Sequence, residues 1–73
     1  MSRFYCLITE AVEEFNTLAE KYKLNSRLSY EDYNLCVYVN GELKSCPEGC
    51  NNQRVLASVR GMITLLKVEH GEI

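Results

Sequence analysis

The chain has 73 residues, of which 47% are hydrophobic and 25% charged, and its net charge is -2. That balance belongs to one folded domain, residues 1–73, and excludes a disordered chain, although at this length the hydrophobic core is small and metals, disulfides or association often supply extra stability. A slightly acidic chain also argues against nucleic-acid binding, which rests on neutralising many phosphates with Lys and Arg, and no run approaches the roughly 18 apolar residues of a membrane span.

The opening residues lack a small-residue cleavage site and turn acidic at once, so no signal peptide is expected and the cytoplasm is the expected compartment. Phe4, Ile8, Ala11, Phe15, Leu18 and Tyr22 then recur at spacings of four and three. With Tyr5, Val12 and Ala19 beside them, they predict one amphipathic helix over residues 3–24, capped by Ser2 and stopped near Asn25. Glu10, Glu13, Glu14 and Glu20 fall on its opposite face. Residues 25–33, "NSRLSYEDY", are polar and turn-rich and read as a connection, ending at most in a short extended piece.

"NLCVYV" and "ELKSC" flank Asn40-Gly41, a strong β-hairpin signal. Two registers are open. A two-residue turn pairs Val39 with Glu42 and mixes apolar and polar residues on each face. A three-residue loop pairs Tyr38 with Glu42, places Leu35, Val37, Leu43 and Ser45 on one face, and gathers Cys36, Tyr38, Lys44 and Cys46 on the other. The second sorts the faces better and is the expected one.

"CPEG" then reads as a type I turn with Pro47 at its second position. A second helix follows from Asn52 to His70, with Asn51 or Asn52 as its cap and Gly71 at its stop. Val55, Leu56, Val59, Met62, Ile63 and Leu66 form its core stripe. On another face Ala57, Gly61, Thr64 and Val68 make a row of small residues, and a glycine inside a helix costs about 1 kcal/mol relative to alanine unless close approach gives it a reason. The expected fold is a small α+β domain of αββα order, two amphipathic helices on one face of a hairpin. It is expected to dimerise about a twofold through that row.

The chemistry-bearing residues are four cysteines and one histidine. Cys46 and Cys50 are spaced as zinc ligands can be, and Cys36 on the facing strand can join them only in the register that puts Cys36 and Cys46 on one face. Cys50, just before a helix N-terminus, is the candidate for a thiol redox role. The plainer reading is that both cysteines flank a turn and that Cys6 and Cys36 are packing residues. Nothing in the sequence orients a serine or cysteine beside His70, so no enzyme is expected.

Tyr30, Tyr33 and Tyr38 cluster around the hairpin, and tyrosine is enriched in interfaces. Together with the acidic face of the first helix they are the expected contact surface for a protein partner. The functional expectation is a small non-enzymatic regulatory or inhibitory protein that binds another macromolecule. The alternatives are a zinc-stabilised binding module using Cys36, Cys46 and Cys50, and a redox protein using Cys50.

Overall fold

The computed structural model describes residues 3–31, 34–45 and 51–72. Its elements are α1 (Arg3–Lys21), β1 (Ser26–Glu31), β2 (Asn34–Val39), β3 (Glu42–Ser45) and α2 (Asn52–Glu69). The class is α+β, with helices packed against an antiparallel sheet, but the sheet has three strands in the order β1-β2-β3.

The apolar stripe of α1 buries Ile8, Ala11, Val12, Phe15, Leu18 and Ala19, as helical spacing requires. The helix ends earlier than residue 24, and Asn25 is not its stop. Lys23 takes the left-handed conformation with φ 58. Its N–H donates to Glu20 O at 3.1 Å and the Leu24 N–H to Ala19 O at 2.8 Å, which satisfies the last carbonyls in a Schellman close.

The strand β1 lies in the segment expected to be a connection. Only Leu28 and Tyr30 of "SRLSYE" point into the core, so the alternation is too short and too polar to stand out. What holds β1 is its pairing with β2, from Ser26↔Val39 to Glu31↔Asn34, together with one side chain of α1. Asn16 donates from Nδ2 to Leu28 O at 2.8 Å and accepts the Leu28 N–H on Oδ1, also at 2.8 Å. The amide thereby acts as a one-residue strand on the outer edge of β1 and docks α1 there.

In the second hairpin, Asn40 and Gly41 both have positive φ, 55 and 81. This is the two-residue turn whose twist matches that of the flanking strands, and Val39 pairs with Glu42. The expected three-residue loop is therefore corrected. The pairing then slips: Tyr38 faces Leu43 but Val37 faces Ser45, so Lys44 is an extra residue in β3. Such a bulge repairs further along the strand the mismatch that a strict two-residue register would carry. Its consequence is that Leu43, expected to face the core, shares Tyr38's outward face and is 55% exposed.

The cap of α2 is Asn51, whose side chain accepts the Gln53 N–H at 2.7 Å. Gly71, with φ 72, closes the other end. Val55, Leu56, Val59 and Ile63 are its buried residues. The two helices run parallel, because contacts rise together along both: Glu14 meets Lys67, Tyr22 stacks on His70 with ring centroids 3.7 Å apart, and Lys21 meets Glu72.

Replacing Asn16 by alanine leaves the Leu28 N–H and C=O without partners at a half-buried edge, and should lower stability by about 1–3 kcal/mol. Thr17→Ala, which removes only an exposed hydroxyl bond to Glu13 O, should change it by less than about 0.5 kcal/mol. Urea denaturation of the two variants checks the difference.

Candidate functional site

The layer of two helices and the layer of three strands leave two outer surfaces. The helical one carries most of the charge. Glu10, Glu13, Glu14 and Glu20 are all exposed on α1, and among the described residues only Glu14 of these four makes an ion pair, with Lys67 at 3.3 Å. Both partners of that pair are substantially solvated, so it contributes no more than about 1 kcal/mol.

Between the helices runs an open groove of about 320 Å³. Leu7, Ala11 and Ile63 form its floor, Glu10 and Glu14 one wall, and Arg60, Thr64 and Lys67 the other. Among the described residues no histidine or cysteine lines it, and its one hydroxyl, Thr64, shares the groove with the carboxylates of Glu10 and Glu14. The walls can meet charged groups of either sign by Coulomb attraction.

The sheet's outer surface is different. Cross-strand partners share a face, and Arg27, Tyr38 and Leu43 are successive partners across the three strands. They form a row on the side away from the helices, which pack over Leu28, Tyr30 and Leu35.

The sequence had joined the hairpin tyrosines and the acidic residues into one contact surface. The structure separates them: Tyr38 lies on the outer sheet face and the glutamates on the outer helical face. Tyr30 leaves the surface altogether. It is 9% exposed, its ring packs against Tyr5 with centroids 5.6 Å apart, and its hydroxyl bonds Asn52 Oδ1 at 3.2 Å. It is a core residue because its segment is the strand β1 and not a connection. Tyr33 lies outside the described residues.

Cys46 and Cys50 also lie outside the described residues, and with them the turn at Pro47. Cys6 is a free, exposed thiol, whereas Cys36 is disulfide-bonded. In that state its sulfur is not a thiolate, and the other two expected zinc ligands lie outside the described residues. Among the described residues no three His, Cys, Asp or Glu side chains converge as a metal site. His70 lies at the C-terminal end of α2, its Nδ1 2.8 Å from Leu66 O.

The row on α2 is open. Ala57, Gly61, Thr64 and Val68 are all exposed, and a Cβ built on Gly61 would meet nothing within 4 Å. The helix α1 does not occupy that groove, so no close approach within the chain explains the glycine. Thr64 turns toward the groove beside α1, while Leu65, which the row had omitted, stands 57% exposed and Val68 54% exposed. The signal missed was the apolar residue one position beyond Thr64.

Comparison with protein-family profiles, with curated proteins and with solved structures gives no match. Function therefore has to be argued from these surfaces.

Two measurements test this description. Peptide mapping after alkylation of the native protein should label Cys6 and spare Cys36 until a reductant is added; labelling of Cys36 without reductant would contradict the disulfide. Gly61→Ala should raise the stability of the dilute protein by about 1 kcal/mol, because the added methyl enters open space. A loss of stability would show that the chain does close on that position.

Proposed function

We propose that the protein is a small non-enzymatic regulatory or inhibitory protein that acts by binding another protein. The observation that carries this reading is the outer face of α1, where Glu10, Glu13 and Glu20 are exposed and make no ion pair among the described residues, while the core stripe fills the opposite side. A surface of this kind steers a basic partner into encounter and weakens with salt. Binding of this kind needs no catalytic group.

No helix among the described residues is long and apolar enough to cross a membrane. A cytoplasmic location fits this reading only where the Cys36 disulfide is transient, because reducing compartments keep thiols reduced.

The test is affinity capture from the native host with the wild-type chain and with a variant carrying Gln at positions 10, 13, 14 and 20. A specific partner should be retained by the wild type, eluted by salt, and lost by the variant. Equal retention by both, at every salt concentration, would overturn the assignment of the acidic face.

A further inference from the structure

We infer that α2 carries a second seam, on its side away from the core, that takes α2 of a second copy of this chain in antiparallel orientation. Arg54, Ser58, Gly61, Leu65 and Val68 follow one another at spacings of four and three, and Glu69 flanks the last of them. At 100° per residue these six positions fall within a sector of about 100°. All six are exposed, and the sector lies opposite Leu56 and Ile63 in the core. Within this sector Leu65 and Val68 are two large apolar side chains left in solvent beside the bare Gly61, with a charged residue toward each end.

Three features choose a second copy, and choose its direction. The first is charge. Arg54 lies in the first turn of α2 and Glu69 is its last residue. Each therefore sits at the end of the helix dipole that disfavours it, and neither makes an ion pair among the described residues. They stand about 22 Å apart along the axis, so they cannot meet within one helix. An antiparallel copy centred between Gly61 and Met62 sets Arg54 of each chain beside Glu69 of the other, and brings each charge to the helix end that favours it.

The second feature is volume. The seam is small in its first half, at Ser58 and Gly61, and large in its second, at Leu65 and Val68. The same antiparallel centre opposes Ser58 to Leu65, large against small, on both sides of the twofold. A parallel pairing would oppose Leu65 to Leu65 and Arg54 to Arg54, leaving a gap at the glycine and like charges together. The third feature is Gly61 itself, whose open Cβ position lies at the centre of the crossing, where the backbones come closest. The seam shares Gly61 and Val68 with the small-residue row and replaces Ala57 and Thr64 by Ser58 and Leu65. It is independent of the acidic face of α1, which it leaves exposed.

Sedimentation velocity of the full chain over a dilution series tests the seam, with far-UV circular dichroism as the check on folding. The wild type should sediment as a dimer at the upper concentrations. Leu65→Glu should weaken the dimer about 30-fold or more with an unchanged spectrum, since Leu65 is outside the core. Arg54→Glu and Glu69→Arg should each weaken it about tenfold, and the double swap should return to within about threefold of the wild type. A wild type that remains monomeric throughout, a dimer indifferent to Leu65→Glu, or a double swap no better than the single ones would overturn the proposal.

Discussion

Two hydrogen bonds between the Asn16 side chain and the Leu28 backbone pin α1 to the outer edge of β1. An edge strand leaves N–H and C=O groups that would otherwise face water or another chain. The amide satisfies both groups from α1. With α1 fixed over β1, its stripe from Ile8 to Ala19 covers Leu28, Tyr30 and Leu35, and α2 completes the core from the other side with Val55, Leu56, Val59 and Ile63. Glu42, Leu43 and Lys44 of β3 are all exposed, so the place of this strand depends on the ladder with β2 and on the Asn40-Gly41 turn.

The same placement decides what is left outside. Because α1 and α2 run parallel, Glu10 and Glu14 face Arg60 and Lys67 across one open groove, and the remaining glutamates point outward. Because α2 leans on α1 with only one side, its far side stays bare, with Leu65 and Val68 more than half exposed. The sheet's outer face, with Arg27, Tyr38 and Leu43 in a row, is a third surface with its own character. The acidic face proposed for a partner and the seam proposed for a second copy lie on different helices, so one can be occupied while the other is.

Elements with strong periodicity or strong local chemistry were legible in the residues. The stripes of both helices, the Asn40-Gly41 turn, the Asn51 cap and the Gly71 stop all stand where local rules put them. The strand β1 was not legible, because its stabilising partners are Asn16, twelve residues earlier, and β2, neither of which its own alternation reveals. That omission carried a second one: Tyr30 looked like a surface tyrosine only while its segment was a connection. The hairpin register misled for a different reason. Face sorting favoured the longer loop, whereas the structure keeps the better turn and spends one bulged residue, Lys44, to recover the pairing. The small-residue row was visible, but its true orientation required knowing which side α1 occupies.

The proposed seam would bury α2 on a second side, against a copy of the chain. A dilution series followed by backbone and methyl NMR tests it at the residues concerned. The account predicts that Ser58, Gly61, Leu65 and Val68 shift with concentration while Glu10, Glu13 and Glu20 on α1 stay fixed. Resonances of α2 that do not change with concentration, or changes confined to the sheet or to α1, would contradict it.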